Sequence, residues 1–123
     1  MKLSFVSAII CFTLACANPT ATIGDTITVR AAPPVLELTN QSPAPVYSFI
    51  IERGTAAYTD WAPCTDPAHC GATGVGRTSS VAYTQIAGYS VDAREAIVYW
   101  WHLVPGGETG LRPDSVRAVV VGL

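Results

Sequence analysis

Ala96-Ile97-Val98-Tyr99-Trp100-Trp101-His102-Leu103-Val104 is the stretch on which the fold turns. It holds no Gly, no Pro and no formal charge, and it is the most aromatic run in the chain. Aromatic and β-branched side chains fit a pleated, covered surface. In an extended strand, successive side chains point to opposite faces. Ile97, Tyr99, Trp101 and Leu103 then share one face, and Trp100, His102 and Val104 share the other. The first set is expected to be core. Trp100 and His102 are expected to lie outward, or beneath the segment Ala62 to Gly76.

Outward from this strand the same period recurs. Ile27 and Val29 alternate with Thr26, Thr28 and Arg30. Leu36 and Leu38 alternate with Glu37 and Thr39. In Val46 to Arg53, Tyr47, Phe49 and Ile51 oppose Val46, Ser48, Ile50 and Glu52. Ala57 to Trp61 reads as a short edge strand, Ser80 to Ile86 as another strand, and Ser115 to Val121 as the last. Turn chemistry separates these runs. Pro33-Pro34 breaks pairing, because neither residue donates a ladder hydrogen bond. Asn40 to Pro45 is a turn by composition, Gly88 to Glu95 is a connection with room for one helical turn at Asp92 to Glu95, and Pro105 to Pro113 is a wide hairpin loop. No segment carries apolar residues at helical spacing over ten positions. The expectation is an all-β domain, a two-sheet antiparallel β-sandwich of about seven strands. A small barrel is the alternative.

Composition supports one packed domain. The chain has 123 residues, of which 50% are apolar and 13% charged. Such a chain can bury a core and is not disordered by composition. The formal net charge is −2. The arginines at 30, 53, 77, 94, 112 and 117 are scattered. A nucleic-acid partner is not expected, because phosphate contacts need clustered positive charge.

The N-terminus reads as an address. Met1-Lys2 is followed by an uncharged apolar or small run from Leu3 to Ala17, too short to span a bilayer as a helix and suited to a signal peptide. Ala15-Cys16-Ala17 fits a cleavage pattern that leaves Asn18 first. Thr13-Leu14-Ala15-Cys16 resembles a bacterial lipobox, with Thr13 and Leu14 departing from the pattern while Ala15 and Cys16 fit. That resemblance implies a lipidated Cys16. It also implies outer-membrane sorting, since Ala17 rather than Asp follows the cysteine. The domain reading is therefore a signal peptide over 1–17, cleaved before Cys16 or Asn18, a short tether over 18–24 and a β-sandwich over 25–123. Localisation is expected to be the bacterial cell envelope, as an outer-membrane lipoprotein or as a periplasmic or secreted protein. A lipid at Cys16 is the one membrane attachment expected.

The run of strands resembles the small immunoglobulin-like sandwiches of bacterial envelope proteins. Trp61-Ala62-Pro63-Cys64 together with Tyr99-Trp100-Trp101-His102-Leu103 resembles a combination seen in uncharacterised bacterial exported proteins. The resemblance covers most of the mature chain, implies an immunoglobulin-like topology and brings no assigned activity. The antibody pattern itself is absent: no Cys sits two residues beyond Tyr99.

Cys64 and Cys70 flank Thr65-Asp66-Pro67-Ala68-His69. In an exported chain two cysteines this close should oxidise to a disulfide that stiffens a surface loop. The competing reading is a zinc or copper site of Cys64, His69, Cys70 and His102. Adjacent His69 and Cys70 make joint ligation strained, so no metal and no cofactor is expected. Gly71 to Gly76 lacks the GxxxxGK[ST] context of a phosphate loop. Ser79 and Ser80 lack a G-x-S-x-G context, and the carboxylates fall in loops or edges. The chain is read as non-catalytic.

The functional expectation is a protein that offers the stiffened loop to an unknown partner. Trp61, Asp66, His69, Trp100 and His102 form the candidate binding surface. The second reading is a carbohydrate- or peptidoglycan-binding module using surface tryptophans, because aromatic faces combine apolar area with a polar edge. Metal carriage is the third, and a protease inhibitor with a rigid loop is the fourth.

Overall fold

A computed structural model describes residues 20–23, 27–108 and 110–123, with side chains from Ile27 onward. Among these residues ten strands form two four-stranded antiparallel sheets and one hairpin. In chain order they are β1 (Thr20–Ile23), β2 (Ile27–Ala32), β3 (Val35–Asn40), β4 (Val46–Glu52), β5 (Ala72–Thr73), β6 (Thr78–Ala82), β7 (Glu95–Trp101), β8 (Leu103–Pro105), β9 (Leu111–Pro113) and β10 (Arg117–Gly122). One helical turn, α1 (Arg53–Ala56), follows β4, and a 3-10 turn, Tyr83–Gln85, follows β6. The first sheet runs β1-β2-β3-β6 and the second β10-β7-β4-β5, while β8 and β9 pair with each other. The all-β expectation holds. Among the described residues no helix is long and apolar enough to cross a membrane.

The two sheets share one core. Ile27, Val29, Ala31, Leu36 and Leu38 come from the first sheet, and Val46, Ala96, Val98, Trp100 and Val121 from the second. The face assignment expected for β7 is therefore reversed. Ala96, Val98 and Trp100 look into the space between the sheets, and Trp100 is 2% exposed. Ile97, Tyr99 and Trp101 lie on the outer face of the second sheet. Trp101 is buried there as well, while Ile97 and Tyr99 are half-buried. The physical reason is that this sheet is covered on both sides. Opposite β7, Tyr47 and Ile51 are buried on the outer face and Val46 on the inner one. The outer face carries Tyr47, Phe49, Tyr99 and Trp101 and is covered by the segment that holds Trp61, while Trp100 fills the inner face.

Other expectations change in detail. Thr20–Ile23, assigned to a tether, pairs in register with β2, Thr20 opposite Arg30 and Ile23 opposite Ile27. Its two threonines and isoleucine favour that extended state. Pro33-Pro34 does not end pairing but is itself the turn of the β2–β3 hairpin, with Ala32 opposite Val35 and a cis peptide between the prolines. The edge strand expected at Ala57 to Trp61 is absent. Glu52 instead caps α1, its carboxylate accepting from the Gly54 N–H at 2.8 Å and the Thr55 N–H at 2.7 Å. The Gly54 hydrogen bond, then the Thr55 hydroxyl and N–H, hold the Glu52 carboxyl below its ordinary range. Gly88 allows α1 to dock: it has φ +73°, and a Cβ there would meet Thr55 Oγ1 at 2.3 Å. No helical turn forms at Asp92 to Glu95, where Glu95 already opens β7.

Candidate functional site: the disulfide ring and the face beneath it

The chain leaves α1 at one end of the second sheet and re-enters it as β5, which pairs with Val46 and Tyr47 at the other end. Between these points residues 57–71 cross the outer face of the sheet. Trp61 is the anchor. Its ring stacks on Phe49 at 4.7 Å and 29°, meets Tyr99 at 4.7 Å, and stands 5.9 Å from Trp101. Phe49 and Tyr99 are directly opposed across β4 and β7. The loop tryptophan thus caps an aromatic cross-strand pair, an arrangement worth roughly 0.5–1.5 kcal/mol per ring pair beyond the area buried. A second tie follows: the Trp101 indole N–H donates to the Cys64 carbonyl at 3.1 Å.

Past this tie the chain closes on itself. Cys64 and Cys70 form a disulfide with Cα atoms 5.9 Å apart. Within the ring Asp66 organises the turn. Its carbonyl accepts from the His69 and Cys70 N–H groups, at 3.0 and 2.9 Å. Its carboxylate accepts from the Ala68 N–H at 3.0 Å and meets His69 Nδ1 at 2.5 Å. These bonds satisfy the backbone of the turn locally. Asp66, Pro67, Ala68 and His69 all remain exposed. A cavity of about 300 Å³ lined by Thr65, Asp66, Pro67 and Leu111 joins the ring to the β8–β9 hairpin.

The expected surface residues thus separate. Asp66 and His69 sit together on the ring, and Trp61 lies beneath it as a half-buried anchor. Trp100 is not a surface residue. It belongs to the core, with the Arg117 guanidinium 4.6 Å above its ring and His102 against its edge at 5.9 Å. The reason is register: Trp100 stands opposite Arg117 on β10 and Ser48 on β4, so it faces the first sheet. The glycan platform loses Trp100. The large aromatic that does project is Tyr58, 92% exposed, between α1 and the ring. Cys16 and the signal peptide expected over 1–17 lie outside the described residues.

His102 belongs to a different constellation, one that no local motif marks, since its partners are 12 and 60 residues away. It sits where the long strand expected over 96–104 breaks into β7 and β8. Its N–H donates to Asp114 Oδ1 at 3.0 Å, and its carbonyl accepts from the Asp114 N–H at 3.0 Å. Asp114 also faces His102 Nδ1 at 3.3 Å and Arg117 at 3.6 Å. On the other side, His102 Nε2 lies 2.9 Å from Ser42 Oγ. Buried Asn40 completes the node. Its Nδ2 donates to the carbonyls of Ala44 and Thr73, and its Oδ1 accepts from the Ser42 N–H at 2.9 Å and the Ser42 hydroxyl at 2.5 Å. Burial draws the Asp114 carboxyl upward. The Ser115 and His102 N–H groups, the Arg117 guanidinium and the His102 ring outweigh that and hold it below its ordinary range.

Ser42, His102 and Asp114 follow one another as in a hydrolytic triad. Ser42 is nevertheless 1% exposed, and its hydroxyl lies within 2.9 Å of Asn40, Ala44 and His102. No substrate carbonyl reaches that oxygen in this arrangement. The node instead ties the β3–β4 turn, β5 and the β8–β9 hairpin to one end of the sheets. The metal set also comes apart, because both thiols are spent in the disulfide and the His102 ring faces Ser42 and Asp114. Among the described residues no group of three or more His, Cys, Asp or Glu could hold a metal ion.

No protein-family model, no curated protein and no solved structure matches the chain.

Proposed function

We propose that this chain is a non-catalytic, exported protein of the bacterial envelope, an immunoglobulin-like sandwich tethered through Cys16, that offers its disulfide ring to a protein partner. The single observation behind this reading is the construction of the ring. Its base is held by Trp61 stacking and by the Trp101–Cys64 hydrogen bond, its ends are joined covalently, and its tip is left in solvent. An exposed loop with this much local ordering has already lost the freedom that association would otherwise remove, about 0.5–1.5 kcal/mol for each flexible side chain fixed. Core stability alone does not require a ring whose tip lies in solvent. The adjoining cavity gives the ring a concave flank where a partner side chain can seat.

The test is in-cell photocrosslinking from position 68, comparing the native ring with one in which Asp66, Pro67 and His69 are replaced by Ser while Cys64 and Cys70 are kept. The reading expects a discrete adduct in the envelope fraction that disappears with the altered tip. The same adducts from both proteins, or a chain retained in the cytoplasm, would reject it.

A further inference from the structure

The strand registers give the domain two distinct ends. Thr20 opens β1 opposite Arg30, three residues before the β2–β3 turn at Pro33-Pro34. The Tyr83 N–H donates to the Pro34 carbonyl, which brings the 3-10 turn to the same end. In the second sheet this end holds Glu52, Glu95 and Gly122. The opposite end holds Asn40, Val46, Trp101 and Arg117, together with the node of Asn40, Ser42, His102 and Asp114. Cys64 is bonded to Trp101, and the ring cavity is lined in part by Leu111 of β9. The disulfide ring therefore lies at the end away from Thr20.

Three residues, Ala17, Asn18 and Pro19, separate Cys16 from Thr20. Four Cα–Cα steps reach at most about 14 Å. β1 is antiparallel to β2, so the link leaves Thr20 toward the Pro33-Pro34 end, about 7 Å away, and reaches the Ile27–Asn40 end, about 10 Å away, only by doubling back along the sheet. Charge does not oppose that placement: at this end Arg30 pairs with Glu37 and Arg53 with Glu95, and exposed Arg94, whose carbonyl accepts from the Leu123 N–H, adds a basic group suited to anionic headgroups. We infer that the Pro33-Pro34 end faces the phospholipid bilayer and that the disulfide ring points away from it, so that the ring is met by partners approaching from outside the anchoring leaflet. This rests on the lipidated-Cys16 reading and adds an orientation to it.

The test uses the full chain, purified from membranes after processing and reconstituted into phosphatidylethanolamine–phosphatidylglycerol vesicles. Two variants, Thr84→Cys on the 3-10 turn and Val75→Cys in the turn next to Asn40, each carry one fluorophore. Both positions are exposed. The readout is quenching by a lipid whose headgroup bears a contact-range nitroxide. The orientation gives quenching at 84 several-fold stronger than at 75. Equal quenching, stronger quenching at 75, or protein that stays in the soluble fraction without a lipid on Cys16 would each overturn it. Photocrosslinking through the ring is scored separately, so loss of the orientation and loss of the partner reading show up as different results.

Discussion

The indole N–H of Trp101 and the carbonyl of Cys64 meet at 3.1 Å, and this bond carries the sheet into the loop. Trp101 is on β7, and Cys64 opens the disulfide ring. Its neighbour Trp100 has the opposite situation: its indole nitrogen is buried with no hydrogen-bond partner among the described residues. Adjacent tryptophans on one strand therefore have unlike duties, one holding a loop and the other filling the core.

That contrast gives the first prediction. Trp101→Phe leaves the Cys64 carbonyl without its donor and should loosen residues 62–70, seen as faster amide exchange there, with a loss of about 1–3 kcal/mol. Trp100→Phe loses volume but no hydrogen bond. Its cost should appear as core destabilisation, with exchange in the ring unchanged.

Removing the disulfide should separate the ring tip from its base. The double variant Cys64→Ser, Cys70→Ser should lose about 2–3 kcal/mol, the amount expected for so short a loop. Trp61 is held by Phe49 and Tyr99 rather than by sulfur, so its fluorescence maximum should stay close to that of the parent. A large red shift would mean that the disulfide, not the aromatic stack, fixes the base.

Asn40 is the most tightly bound side chain of the polar node. Asn40→Ala strips a donor from the Thr73 carbonyl and an acceptor from the Ser42 N–H, both buried, and one of the two donors from the part-buried Ala44 carbonyl. Leaving such groups unsatisfied costs about 1–3 kcal/mol each when water cannot enter. Urea unfolding should show a loss of more than about 2 kcal/mol, larger than for the exposed neighbour Gln41→Ala.

Acid should weaken the fold partly through Asp114. Its carboxyl is more acidic folded than unfolded. Its contribution is thus fully present above the unfolded value and is lost as pH falls through the folded one, a window from about pH 4 downward. Asp114→Asn should be less stable than the parent at neutral pH, with the gap closing as pH drops through that window. Glu52, also held low by its cap, leaves some acid slope in the variant. A gap that stays constant with pH would mean that the Asp114 charge is not what the node uses.

Much of the architecture was legible from residue alternation. Ile27 and Val29, Leu36 and Leu38, and Val46 to Glu52 lie in the strands expected of them, and Cys64 and Cys70 pair as their spacing implied. Which face of β7 meets the other sheet was not legible, because both faces are covered and alternation carries no sign. His102 escaped for another reason. Its partners are 12 and 60 residues away, and only the break between β7 and β8 brings Asp114 and Ser42 to it. Asp114 looked like a solvated loop carboxylate because nothing local shows that its partner is a strand end. Thr20–Ile23 was too short and too polar to stand out as a strand without its neighbour β2.

Everything proposed for the ring depends on its tip being ordered while exposed. Backbone ¹⁵N relaxation on the oxidised protein measures this directly. Order parameters of about 0.85 are expected for Asp66, Ala68 and His69, matching β4 and β7. Values below about 0.6 at those residues, with the disulfide intact, would contradict that expectation.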